Sequence, residues 1–190
     1  MHPSTMPETV ELHPVIAHRW SPRAFTDERI EPQVLRSLFE AARWSASCFN
    51  EQPWRFVIAT KDQPEEFQKL LDVLVPANQQ WASQAWVLGV TVGKTTFTHN
   101  GKPNRYGLHD AGAALASLAT QASSLGLQAH GMGGFHHDKA REDFGIPEDY
   151  ELGAAFAVGY VDPGEVPPAT RTRKPLEELV FGTEWGKAAL

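Results

Sequence analysis

The sequence predicts an α+β or α/β sandwich on three observations. Short runs rich in β-branched and aromatic residues alternate with stretches of helical period. Those stretches place apolar residues at i, i+3, i+4 and i+7, the spacing of one buried face. One Ala-rich stretch is apolar almost all round, as expected of a helix set into a core. At 190 residues, a single domain of this kind buries roughly two-thirds of the surface its unfolded chain exposes.

Taken in order, residues 1–8 read as a flexible leader. A first helix starts near Thr9 and carries Val10, Val15 and Ile16 toward Arg19, with Pro14 inside it, and Pro22 turns the chain. Pro32 opens a second helix with Leu35, Leu38, Phe39 and Ala42 on one face. Residues 45–53 hold Ser, Asn and Pro without helical period and form a loop into a strand at 54–59. A third helix covers 64–75, a second strand 86–92, and a polar, lid-like connection 94–106. The Ala-rich helix spans 107–125 and stops at Gly126. A glycine-rich strand and turn at 131–135, a short helix at 138–144 and an apolar strand at 152–160 follow. The tail at 181–190 carries Trp185 and little else apolar, so it gains little by folding on its own subunit and is expected to lie across a partner. No repeat divides the chain, which reads as one domain over 1–190.

Composition narrows the function. A net charge of −6 argues against nucleic-acid binding, which needs a basic stripe to displace counterions. A single cysteine, Cys48, excludes an intramolecular disulfide and a thiolate-rich zinc site. No basic and apolar leader and no run of about 18 apolar residues is present, so a cytoplasmic protein without a membrane span is expected. The eight histidines show no H-E-x-x-H and no helical H-x-x-x-H, so no metal site is expected. No G-x-S-x-G and no apolar-flanked carboxylate pair gives hydrolase chemistry a foothold.

Four constellations remain. Arg19-Trp20-Ser21-Pro22-Arg23 offers two forked donors and a hydroxyl, suited to a phosphate or a heterocycle edge, although surface arginines on a loop are the simpler reading. Ser45 to Trp54 sets hydroxyls and amides on a loop fixed by a strand, able to read the O and N edge of a planar ring or to satisfy its own turn. Within it Cys48 reads as a small, partly buried thiol rather than a nucleophile. Gly131-Met132-Gly133-Gly134 lets backbone N–H groups approach a ligand, or makes a tight turn; it comes too late in the chain for a dinucleotide-binding βαβ fingerprint. Arg171-Thr172-Arg173-Lys174 is an anion site or a solvated charge run.

Each motif is weak alone, but their order resembles the nitroreductase family over about residues 15–180. Arg-x-Ser-x-Arg is followed by Asn-x-Gln-Pro-Trp, a buried Ala-rich helix, Gly-Gly-Phe and Arg-x-Arg-x-Pro-Leu-Glu-Glu. The resemblance implies an α+β fold with a central, mainly antiparallel sheet flanked by helices, in an interlocked homodimer with FMN between subunits. It implies that Arg19, Trp20, Ser21 and Arg23 bind FMN, with Arg19 at the phosphate and Arg23 at the pyrimidine edge. Arg171 and Arg173 complete the phosphate site. The partner supplies Ala46, Ser47, Cys48 and Asn50. Asn78 bonds the pyrimidine end, and the Gly133–Gly134 turn brings a backbone N–H to flavin N5. No side-chain acid or base is then required, and no catalytic residue is assigned.

The implied activity is hydride uptake from NADH or NADPH and ping-pong reduction of a nitroaromatic, quinone or related conjugated acceptor. Phe97 and Tyr106 on the short connection are the candidate substrate lid. Dehalogenation, enone reduction or dehydrogenation on the same fold, or a non-catalytic flavin-binding redox module, are the alternatives. Two features depart from the family pattern: tryptophans at 20 and 81, where many members carry smaller or basic side chains, and the short 94–106 connection.

Overall fold

One antiparallel sheet of four strands runs in the order β1-β2-β4-β3. The strands are β1 Trp54–Thr60, β2 Val87–Lys94, β3 Leu127–Met132 and β4 Tyr150–Tyr160. This computed structural model describes residues 11–168 and 171–190. Six helices accompany the sheet among them: α1 Pro14–His18, α2 Pro32–Arg43, α3 Pro64–Asp72, α4 Pro76–Ala82, α5 Gly107–Ser124 and α6 His137–Asp143.

The pleat sorts the core into two layers. Along β4, Ala155 and Ala157 face a cluster with Phe67 and Leu70 of α3, Trp81 of α4 and Ala140 of α6. Phe156 and Val158 alternate onto the opposite cluster, with Leu38 and Ala42 of α2 and Ala111, Ala114, Leu118 and Ala122 of α5. Helices thus cover both faces of the two central strands. That explains why β2 and β4 read as continuous apolar runs although every pairing is antiparallel. Gly89 makes room for the Phe156 ring, since a Cβ there would stand 2.4 Å from the ring Cζ. Phe156 itself is fully buried, a contribution of about 1.5–3 kcal/mol. At the end of β2, Gly93 meets Gly107 at the start of α5; a Cβ on Gly107 would lie 2.3 Å from the Lys94 carbonyl oxygen. Two absent side chains therefore fix where the central helix begins.

Several expected boundaries shift for identifiable reasons. Pro14 lies in the first turn of α1, where its missing N–H is harmless; the part of that predicted helix before residue 11 lies outside the described residues, as does the 1–8 leader. The third predicted helix ends at Asp72, and a separate α4 begins at Pro76, the new proline supplying its N1 position. The glycine-rich strand predicted at 131–135 is the end of a longer one. β3 begins at Leu127, and 133–135 are the turn that follows it. Finally, α5 is not buried on most sides. Gly107, Ala111, Ala114, Leu118 and Ala122 form one buried stripe, while Gly112 and Ala116 on the far side are exposed in the single chain.

Candidate functional site

The predicted residues gather into two groups. The first lies along the free edge of β3. Gln128, buried at the start of the strand, accepts the Trp20 N–H at 3.1 Å and donates to the His18 carbonyl at 3.3 Å, fixing the turn that leaves α1. Two residues on, His130 bonds the Pro22 carbonyl through Nδ1 at 2.7 Å and stacks on Trp81, with ring centroids 4.4 Å apart. Burial, ahead of the charge of Arg23, pulls the His130 imidazole below its ordinary pKa, while the Pro22 carbonyl and Glu165 oppose that shift. The backbone N–H groups of Arg23 and Ala24 both donate to the Glu165 carboxylate, leaving the exposed Ser21 and Arg23 side chains facing outward.

At the far end of β3, Asn78 donates through Nδ2 to the Gly134 carbonyl at 2.9 Å, and Val75 N–H donates to the same oxygen at 3.1 Å. A Cβ on Gly134 would press on the Asn78 amide at 2.8 Å and displace it, so that glycine serves the protein's own packing. A Cβ on Gly133 would meet nothing within 4 Å, leaving its backbone open to a ligand. At the near end, Arg171 donates to the carbonyls of Ala17 and Arg19, pinning the tail against the end of α1. Burial, then the like charges of Arg171 and Arg173, push the Arg19 guanidinium below its ordinary pKa. The ion pairs of the described residues involve none of these three arginines. Three convergent cations suit a phosphate dianion, which would reverse their mutual repulsion. That donor set, with the open backbone at Gly133, fits an elongated anion carrying a planar head.

The second group is at the opposite edge of the sheet, on the loop entering β1. Ser47 accepts the Gln52 N–H through Oγ at 2.9 Å, and Cys48 N–H donates to Asp110 Oδ2 at 2.9 Å. Ala46 and Asn50 are exposed, and the Cys48 thiol is partly buried. Phe49, Asn50 and Gln52 adopt positive φ of 54°, 55° and 50°, a left-handed conformation that stores of order 1–3 kcal/mol each in non-glycine residues. The tethers to Asp110 and Ser47 hold it. The predicted lid is a tight, internally bonded excursion rather than a loose one: Phe97 N–H bonds Lys102 O, Asn104 N–H bonds Thr95 O, and Thr95 N–H bonds Asp149 O. Phe97 packs on Phe49, whereas Tyr106 occupies the N-cap of α5, edge-on to His109.

Sequence reasoning missed Asp110, Gln128, His130 and Glu165 as organisers of these loops. A buried carboxylate in an otherwise Ala-rich helix was the available signal for Asp110; the others become visible only when the strand edge is assembled.

Residues 16–160 match the model of the nitroreductase family. The chain belongs to that family. A solved oxidoreductase containing FMN superposes on the chain with a TM-score of 0.86 at 35% identity, covering 94% of this chain and 95% of the other. An uncharacterized 15.4 kDa protein of Mycolicibacterium smegmatis is 36% identical over 90 residues, 43% of this chain and 60% of its own length, so the match spans less than two-thirds of that relative. A protein of Archaeoglobus fulgidus, provisionally named an NADH dehydrogenase/NAD(P)H nitroreductase, is 23% identical over 150 residues, 77% of this chain and 83% of its own. Nitroreductase-family membership accounts for the flanked antiparallel sheet. Among the described residues no helix is long and apolar enough to cross a membrane.

Proposed function

We propose that the protein is an FMN-dependent oxidoreductase using NADH or NADPH to reduce nitroaromatic, quinone or related conjugated acceptors. The observation that carries this reading is the order of ligand-competent groups along the free edge of β3: three arginines at its start, the Pro22–Arg23 turn midway, and the open Gly133 backbone at its end. β3 itself, from Leu127 to Met132, runs about 17 Å before the turn at its end, the scale of a tricyclic ring with a phosphorylated side chain. FMN, held there, would supply the redox chemistry that links a nicotinamide donor to the acceptor in ping-pong order.

The residues of the chain do the rest. Arg19, Arg171 and Arg173 neutralise the phosphate, and Arg171 also keeps the tail in register with α1. Trp20 and Ser21 shape the turn through which Arg23 reaches the pyrimidine edge, where a cation favours a reduced, anionic ring. Asn78 holds the Gly133–Gly134 turn so that its backbone N–H groups face the ring. The loop with Ala46, Ser47, Cys48 and Asn50 stands at the opposite edge, with β2 and β4 in between, so a second copy of the chain is the source from which it meets the cofactor. Homodimer formation is therefore part of the proposal, in a cytoplasmic enzyme.

The test is direct. Purified protein should be yellow, release about one FMN per subunit on denaturation, bleach with NADH or NADPH, and recolour with a nitroarene or quinone. Colourless protein that ignores added FMN would sink the reading. Bleaching without reoxidation by any such acceptor would instead leave a flavin-binding module.

A further inference from the structure

We infer that Glu165 is a positioning residue for the flavin site, holding the Pro22–Arg23 turn in place and setting the net charge that this turn presents. The inference rests on the oxidoreductase reading above. Two successive backbone N–H groups converge on the Glu165 carboxylate. The Arg23 N–H is shared between Oε1 at 2.9 Å and Oε2 at 3.1 Å, and the Ala24 N–H donates to Oε2. The Arg23 side chain stays exposed, so the carboxylate grips the backbone and leaves the guanidinium free for a ligand.

The segment that carries Glu165 is built to deliver it. Past the end of β4, Val161 bridges Phe25 in antiparallel fashion, and the Asp162 N–H donates to the Ala24 carbonyl at 3.1 Å. The chain then reverses: the Glu165 N–H bonds the Asp162 carbonyl at 2.9 Å, and the Gly164 N–H bonds Asp162 Oδ1 at 2.7 Å. Phe25 anchors the other side. It is buried, and a Cβ on Gly159 of β4 would stand 2.9 Å from its ring. A carboxylate held on two adjacent N–H groups makes charge-assisted bonds, which fix the backbone from which Arg23 departs. The same contact sets a negative charge beside that cation. A cation at the pyrimidine edge favours the reduced, anionic ring, and a carboxylate on the same turn offsets part of that effect. Glu165 therefore keeps the bound flavin a stronger reductant than Arg23 alone would make it.

The experiment measures FMN Kd and the two-electron potential of the bound flavin in wild type, Glu165→Gln, Glu165→Ala and Glu65→Gln. The last removes an exposed carboxylate from α3 and controls for net charge. Glu165→Gln keeps an acceptor oxygen and loses the charge. Its FMN Kd should hold, while reduced flavin binds roughly three- to tenfold tighter relative to oxidised, a positive shift of about 15–30 mV. Glu165→Ala frees the turn and should weaken FMN binding roughly tenfold. An unchanged potential in Glu165→Gln overturns the charge-setting role, as does an equal shift in Glu65→Gln. An unchanged FMN Kd in Glu165→Ala overturns the positioning role. Wild-type protein that takes up FMN confines those results to Glu165; wild type that binds none overturns the oxidoreductase reading as well.

Discussion

His130 shows how a single residue ties the site to pH. Burial depresses its folded pKa below the ordinary 6.5, so the unfolded chain takes up a proton that the folded one resists. Stability is then full above that value and falls as pH drops through it toward the folded pKa. Melting temperature should decline between about pH 7.5 and pH 5, and His130→Gln should flatten that decline; an equally steep profile in the variant would assign the slope to other groups. The two glycines after β3 make a second comparison. Gly134→Ala forces Asn78 aside and should lose about 1 kcal/mol of stability with that hydrogen bond. Gly133→Ala meets only open space, so its melting temperature should hold while FMN affinity drops several-fold. Unchanged FMN affinity in Gly133→Ala would remove that backbone from the cofactor site. Both glycines were legible as one motif; their different duties were not, because only the folded neighbours of each separate packing from ligand approach.

Among elements, α5 does more than fill the core. Its first turn presents Asp110, 3% exposed, to the Cys48 N–H and to the His109 ring, so the loop entering β1 is anchored by a helix that begins about 60 residues later. Asp110→Ala should lower stability by about 1–3 kcal/mol, the range for leaving a buried N–H without its acceptor, and should weaken FMN binding. Asp110→Asn, which keeps an acceptor oxygen, should recover much of both. Thermal melts with FMN titrations decide it: a lower melting temperature with unaltered FMN affinity would make the tether purely structural. The helical period of α5 was plain in the sequence, but which stripe is buried was not. Alanines on every side of the helix left periodicity little to discriminate, and the Gly93–Gly107 contact sets its start against β2. α4 was missed outright: the predicted third helix stops at 75, and Pro76, which opens a new helix as its N1 residue, was left unread.

The whole molecule leaves its last segment without a base of its own. Leu176, Leu179 and Val180 are exposed, and Trp185 is 94% exposed with an edge-on contact to Phe181. The small outer face of α5 is likewise uncovered. Deleting residues 176–190 should shift the protein from dimer to monomer in sedimentation and release FMN over the same concentration range; a truncated dimer retaining full FMN would show that the tail is dispensable. Only the topology, and not the sequence, could place the two groups of predicted residues at opposite edges of the sheet. The cluster of Arg19, Arg171 and Arg173 has a further effect, on ionic strength. Without FMN the three cations repel one another across the joint between tail and α1, and mobile anions are the remaining means of neutralising them. Apoprotein should therefore gain thermal stability as salt rises, more from sulfate or phosphate than from chloride at equal ionic strength, while holoprotein, with its own dianion in place, should respond weakly. Equal salt responses in the two forms would mean that the three charges are already screened by water.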